Sequence, residues 1–281
     1  MMIIQNLINE GSNLLKQNNV HSYRLDSEIL MSMTLKKNRE YVILNLNEKL
    51  DQKKSNFFKD LIFQRSRGKP IAYILGTKEF WKYEFKINEG VLIPRPDTEI
   101  IVQEVLRLTK NKSKLKILDI GTGSGCMLLS ILKEKSDFYG TGIDLSKKCL
   151  DICKINTLKL GLEKRSKFIK TDIDNFNYGK YDLIISNPPY INKLCLKYLE
   201  KDVISYEPIL ALNGGLDGLS EIRKVINKSS ELIKSNGKLI LEIAFDQKEK
   251  VKKLLNRKGF YINKIVKDYA KNDRCIISTK I

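Results

Sequence analysis

From residue 115 to the C-terminus, short apolar runs alternate with helical stretches, and that alternation leaves few folds open. Residues 115–120, 138–143, 167–170, 181–186 and 238–243 read as strands. Residues 260–266 and 274–279 read as a closing pair. Strands alternating with helices imply a mostly parallel sheet covered on both faces by helix. The expectation is an α/β, Rossmann-like domain with a mostly parallel seven-stranded sheet.

The first part of the chain has a different period. Ile3, Leu7, Leu14 and Leu15 recur at helical spacing, as do Leu25, Ile29, Leu30 and Met33, then Phe57, Phe58, Leu61 and Ile62. Gly68-Lys69-Pro70 punctuates the end of the third stretch. Residues 1–75 therefore read as a small helical bundle suited to docking a partner. In 76–94, Phe80 to Ile87 alternates like a strand, and Asn88-Glu89-Gly90 supplies a turn before Val91-Leu92-Ile93. That segment is expected to be a β-hairpin linker. Pro94 and Pro96 stop the strand, and Asp97-Thr98-Glu99 opens a helix to about residue 108. Residues 95–281 make the large domain.

Composition removes several classes of chemistry. His21 is the only histidine, which excludes His-based triads and nearly every catalytic zinc site. The five cysteines (Cys126, Cys149, Cys153, Cys195, Cys275) are scattered and read as free thiols. No apolar run approaches the ~20 residues that span a bilayer. The N-terminus alternates too finely for a signal-peptide core, so the chain is expected in the cytoplasm and off the membrane. The net charge of +18 is spread along the chain and heavier after residue 110. It favours proximity to polyanions such as RNA or the ribosome. The abundance of Lys, Asn and Ile leaves a plain compositional bias as the alternative.

Three elements carry chemistry. Gly121-Thr122-Gly123-Ser124-Gly125 follows Leu118-Asp119-Ile120 at a strand-to-helix turn. Glycines there let the backbone turn sharply and let a ligand approach. The spacing is not the G-x-G-x-x-G of dinucleotide binders. Asp144 closes the next strand, where an acid can accept the ribose hydroxyls of an adenosine ligand or cap the following helix. Asp172 ends the third strand and could meet an adenine edge or stand as an exposed turn acid.

The third element is Ser186-Asn187-Pro188-Pro189-Tyr190, after the apolar strand 181–186. Its two prolines end strand pairing and stiffen the loop. The Asn187 side-chain oxygen and the Pro188 carbonyl can each accept one N–H of a planar NH2 group. Tyr190 can stack on a flat substrate. An already activated methyl donor would need only alignment and exclusion of water, without a general base. The loop alone does not choose between the exocyclic amine of a base and an amide.

With these elements in order, the chain resembles the protein-glutamine methyltransferases that modify class I peptide chain release factors. The matches are Pro70 to Gly76, Phe80-Trp81, Leu92-Ile93-Pro94-Arg95-Pro96-Asp97-Thr98-Glu99, Leu118 to Gly125, Ser186 to Tyr190, Glu207-Pro208 with Ala211-Leu212, and Gly215 to Gly218. The resemblance implies methylation of the glutamine of the Gly-Gly-Gln loop, with S-adenosyl-L-methionine as donor and no metal. Gly121, Thr122, Gly123, Ser124, Gly125, Asp144, Asp172, Ile173 and Asn187 would bind the donor. Asn187, Pro188, Pro189 and Tyr190 would hold the glutamine. Arg95 would shape the pocket mouth or form a surface ion pair, and residues 1–75 would dock the release factor. Two positions depart from the family pattern. Ile173 stands where some relatives carry an aromatic residue, and Lys271 stands where relatives often have glycine.

Overall fold

The computed structural model describes residues 2–281, which divide into two compact units. The first comprises residues 2–76 together with Glu200–Tyr206, and the second comprises Thr77–Leu199 with Glu207–Ile281.

The first unit is helical. A two-residue strand β1 (Met2–Ile3) pairs antiparallel with β2 (Lys49–Leu50). Around it lie α1 (Ile4–Gln17), α2 (Tyr23–Leu35), α3 (Arg39–Leu44), α4 (Gln52–Ser66) and α5 (Ile71–Leu75). Ile4, Leu7, Ile8 and Leu15 bury the inner face of α1 at the expected 3–4 spacing. Gly11 lets α4 come close, because a Cβ there would sit 2.8 Å from the Ile62 side chain. Asn38 and Asp51 cap α3 and α4 by accepting from Tyr41 N and Lys54 N. The short helix α9 (Lys201–Tyr206) completes this unit. There Arg65, nearly buried, donates from Nε to Asp26 at 2.7 Å and from Nη1 to Asp202 at 2.8 Å.

The second unit is built on one seven-stranded sheet. Its strands are β5 (Lys116–Ile120), β6 (Tyr139–Asp144), β7 (Ser166–Lys170), β8 (Tyr181–Ser186), β9 (Ile233–Glu242), β10 (Phe260–Lys267) and β11 (Asp273–Lys280). They lie in the order β10-β11-β9-β8-β5-β6-β7. The five strands β9 to β7 are parallel, while β11 joins β9 and β10 joins β11 antiparallel. The chain runs outward from β5 through β6 to β7, then returns to β8 on the other side. Adjacent strands β5 and β8 thus diverge at a switch point, where their carboxyl ends open a crevice.

Alternation along the strands feeds two cores. Ile117, Leu183, Ile185 and Ile240 face one side, where they meet α6 (Glu99–Leu108) and α7 (Cys126–Glu134). Leu118, Ile184, Leu239 and Leu241 face the other, with α10 (Ser220–Leu232) and α11 (Lys248–Arg257). The remaining helix, α8 (Lys147–Leu160), packs along β7 and the hairpin.

The hairpin lies earlier in the chain than its sequence suggests. Strand β3 (Thr77–Phe80) pairs with β4 (Tyr83–Lys86), and Trp81-Lys82 makes the turn, with Trp81 at φ 59. Asn88-Glu89-Gly90 does not join two strands. Folding at Trp81 puts Phe80 and Phe85 together in the first core, edge to face at 6.2 Å. A continuous strand from 80 to 87 would face those two rings, an odd number of residues apart, to opposite sides. The hairpin is therefore part of the core of the second unit rather than a bare linker. Lys271 takes φ 65 and the β10–β11 turn still closes, with Lys271 N donating to Asp268 O.

Candidate active site

The crevice at the carboxyl ends of β5, β6 and β8 is a cavity lined by Gly121, Thr122, Gly123, Ser124, Asp144, Ile173, Asn187, Pro188, Pro189 and Arg95. Ten of the residues singled out from sequence therefore meet at one place. Gly125, Asp172 and Tyr190 do not line it.

The turn after β5 owes its shape to positive backbone angles at Gly121 (φ 73), Gly123 (φ 57) and Gly125 (φ 79), which favour glycine. Nothing lies within 4 Å of a Cβ built on Gly121 or Gly123. Those two glycines thus leave open space for a ligand against bare backbone. Gly125 serves the protein instead: its Cβ would meet Leu129 at 3.0 Å and Cys153 at 3.2 Å, so it seats α7. Gly121 N and Thr122 N both donate to Ile143 O, which ties the turn to β6.

Two carboxyl groups support this turn. Asp144 accepts from Gly123 N at 3.0 Å and from Ser146 N at 2.8 Å. The side chain capping α8 is Ser146, which accepts from Cys149 N, so Asp144 is not the cap. Burial raises the Asp144 pKa above the ordinary carboxylate value, opposed by its backbone hydrogen bonds. Asp119 lies beneath, fully buried, and accepts from Thr122 Oγ1 at 2.7 Å, while its Oδ1 has no hydrogen-bond partner among the described residues. Burial pushes Asp119 up to about 7. Sequence reasoning quoted Asp119 within the motif but gave it no role.

Asp172 is a turn acid. It accepts from Asp174 N and caps the 3-10 turn Ile173–Asn175. Its neighbours Thr171 and Ile173 line the cavity, and Ile173 also packs on the second core.

On the β8 side, Asn187 Nδ2 donates to Thr98 Oγ1 at 3.1 Å. Thr98 is buried in the 3-10 turn Pro96–Thr98 that opens α6. No described residue donates to Asn187 Oδ1. Tyr190 turns away from the cavity and packs on the second core, and its hydroxyl donates to Glu242 Oε1 at 3.2 Å. Its carbonyl accepts from Gln247 Nε2, which also donates to Gly218 O. Tyr190 therefore anchors the loop from below, and the stacking role expected of it has no counterpart in this placement.

Glu242, at the end of β9, is 1% exposed. Burial pushes its carboxyl up to about 7, against the pull of the Thr98 hydroxyl, the Arg274 charge and the Tyr190 hydroxyl. Arg95 lines the cavity and pairs with the buried Glu207 at 2.5 Å. Glu207 Oε2 also accepts from Ile93 N. Arg95 thus lies at the cavity and is held there by an ion pair whose acid is buried rather than at the surface. Leu210, 80% exposed, and Pro208 extend the apolar wall.

Comparison with known proteins agrees with this geometry. Residues 6–76 match the family model described as the PrmC N-terminal domain, and residues 111–275 match a methyltransferase domain. A release factor glutamine methyltransferase of Clostridium botulinum is 38% identical over 282 residues, covering 99% of this chain and 100% of that one. The chain belongs to the release factor glutamine methyltransferase family. The same-named protein of Buchnera aphidicola is 39% identical over 257 residues, covering 92% of each chain. Among solved structures, a methyltransferase from Pyrococcus furiosus superposes with a TM-score of 0.54 at 16% identity, over 79% of this chain and 97% of that one. The second unit thus shares that methyltransferase fold, a mostly parallel seven-stranded sheet, in a chain that also carries the family's helical N-terminal domain. No helix among the described residues is long and apolar enough to cross a membrane.

Proposed function

We propose that the chain methylates the side-chain amide nitrogen of the glutamine in the Gly-Gly-Gln motif of class I peptide chain release factors, with S-adenosyl-L-methionine as donor. The observation that carries this reading is the state of Asn187. Its Nδ2 is engaged on Thr98, which leaves Oδ1, at the cavity, as a free acceptor. An acceptor at that point fits an NH2 group.

The residues of the glycine turn fit an adenosyl donor. Gly121 and Gly123 leave room against bare backbone, and Asp144 stands at the tip of the adjacent strand. When bound, the donor supplies a methyl group already activated on a sulfonium. Asn187 Oδ1 and the Pro188 carbonyl accept the two N–H groups of the glutamine amide. That contact fixes the plane of the amide and raises electron density on its nitrogen. These two acceptors would hold the nitrogen in line with that methyl group, and the proton the nitrogen gives up on methylation would pass along its hydrogen bond to the accepting oxygen and from there to bulk solvent. Alignment of bound reactants can lower such a barrier by about 7–11 kcal/mol. The apolar wall of Pro188, Pro189 and Leu210 excludes water from the reacting atoms. The first unit docks the release factor in the cytoplasm.

Methyl transfer from labelled donor to a purified release factor, followed by peptide mapping, tests the reading. Label is expected on the loop glutamine and absent with Asn187→Ala; label on RNA instead would refute it. Asp144→Ala is expected to weaken donor binding in calorimetry and to leave release-factor docking intact. Equal loss of both would contradict the roles assigned.

A further inference from the structure

A buried polar chain runs from the cavity wall beneath the Asn187–Tyr190 loop. Asn187 Nδ2 donates to Thr98 Oγ1 at 3.1 Å. Thr98, 4% exposed, faces the carboxyl of Glu242, 1% exposed, which at Oε1 accepts the Tyr190 hydroxyl. One buried carboxyl is thus coupled to both ends of the four-residue loop: directly to Tyr190, and through Thr98 to Asn187. Glu242 Oε2 is buried and has no hydrogen-bond partner among the described residues, and the Thr98 hydroxyl is the nearby group that holds the Glu242 pKa down. A buried acceptor of this kind is costly to leave unmatched and draws any nearby hydroxyl proton toward it.

We infer that Thr98 and Glu242 are positioning residues that set the orientation of the Asn187 side-chain amide. The inference rests on the amide-methylation reading above and adds the device that makes Asn187 present oxygen rather than nitrogen. An asparagine amide has two nearly isosteric orientations, one offering an acceptor and the other two donors. Only the first can take an N–H from a substrate amide. A hydroxyl such as Thr98 could stabilise either, because it both donates and accepts. Glu242 removes that freedom. As a carboxylate it is acceptor-only, so the Thr98 proton points to it, and the Thr98 lone pair is left to receive Asn187 Nδ2–H. The amide then shows Oδ1 to the cavity.

This arrangement ties together residues from three separate stretches: the 3-10 turn before α6, the loop after β8, and the end of β9. It also gives a use to a buried acid that does not line the cavity. Arg274 on β11 and Asp97 beside Thr98 are the other charged groups around Glu242, and Cys275 pairs with it across the sheet.

The test uses the full-length protein at pH 8, above the value of about 7 to which burial pushes Glu242. Thr98→Val keeps the side-chain shape and removes the hydroxyl. It is expected to lower kcat on the order of a hundredfold, the usual effect of losing about 1 Å of alignment. KM for the release factor and donor affinity by calorimetry should stay at wild-type values. Thr98→Ser should recover most of the loss, and Glu242→Gln, which can donate to Thr98, should lower kcat with the same unchanged KM. Independently of any turnover, the side-chain 15N resonance of Asn187 should shift in Thr98→Val and Glu242→Gln and keep its wild-type position in Thr98→Ser. An unshifted resonance in Thr98→Val would overturn the inference, as would wild-type kcat in that variant or a loss confined to KM. Should wild-type protein methylate no release factor, the substrate reading fails while the resonance still decides the orientation.

Discussion

Gly142, in the middle of β6, tests how tightly the sheet is coupled to the glycine turn. A Cβ at this position would lie 2.6 Å from Phe168 Cδ1 and 2.9 Å from Thr122 Oγ1. Ordinary contact begins at 3.4 Å, so the Gly142→Ala change requires about 0.8 Å of movement from Phe168 and about 0.5 Å from Thr122. Phe168 is half-buried on the edge strand β7 and can yield. Thr122 is buried, and its hydroxyl is bonded to the fully buried Asp119. Overpacking of this kind costs about 1–3 kcal/mol, and the bond to the acid is worth about 1.5–3 kcal/mol where it is strained away. A unit of this size loses about 2–4 °C of melting temperature per kcal/mol. Gly142→Ala is thus expected to lower the melting temperature by roughly 5–24 °C. Donor affinity in calorimetry should fall about tenfold, equivalent to about 1.4 kcal/mol. Gly140→Ala is the control: the three atoms nearest its Cβ all belong to the Leu128 side chain, the first at 2.6 Å. That variant should lose stability and keep donor affinity. The reasoning is refuted if Gly142→Ala binds donor as the wild type does, or if Gly140→Ala weakens donor binding equally.

Two further outcomes follow from buried charge. Asp119 is pushed up to about 7 by burial, so the folded chain holds a proton that the unfolded chain releases near 4. Stability therefore falls as pH rises from about 4 through about 7, with a loss on the order of a few kcal/mol complete above that window. Urea unfolding at pH 5 and pH 8 should show that difference shrinking in Asp119→Asn, and an unchanged difference would contradict it. In the first unit, Arg65→Ala leaves the buried Asp26 uncompensated, at a cost of about 3–5 kcal/mol. Arg65→Met with Asp26→Leu should cost less than Arg65→Ala alone in thermal unfolding; additive losses would count against an ion pair at that site.

The parallel sheet was legible because its strands are buried on both faces and read as continuous apolar runs, as 181–186 and 238–243 do. The cavity was legible for a related reason. The turn after β5, the acid ending β6 and the loop after β8 are each local in sequence, and the parallel order brings their carboxyl ends together. What escaped depends on distant partners. Trp81-Lys82 has no glycine or asparagine to announce a turn. It is held by Glu99, which accepts from Trp81 N, and by Glu134, which accepts from Trp81 Nε1 and the Tyr83 hydroxyl. Tyr190 looked like a stacking residue because aromatic type says nothing of direction, and Glu242 beneath it is about fifty residues away. Asp172 and Gly125 sat beside cavity-lining residues in the chain but face the protein, as caps and helix contacts do.

The Arg65–Asp202 bond spans 137 residues of chain. At about 5–20 residues per second of synthesis, Arg65 leaves the ribosome on the order of ten seconds before its second carboxylate exists. The five N-terminal helices can pack in that interval with only Asp26 to balance the guanidinium. The helices of the first unit are then made before the second unit, yet the first unit is complete only after β5 to β8 have been made, because α9 follows them. A fragment ending at residue 76 would carry that unfinished charge permanently, so its stability would understate that of the same helices in the whole chain.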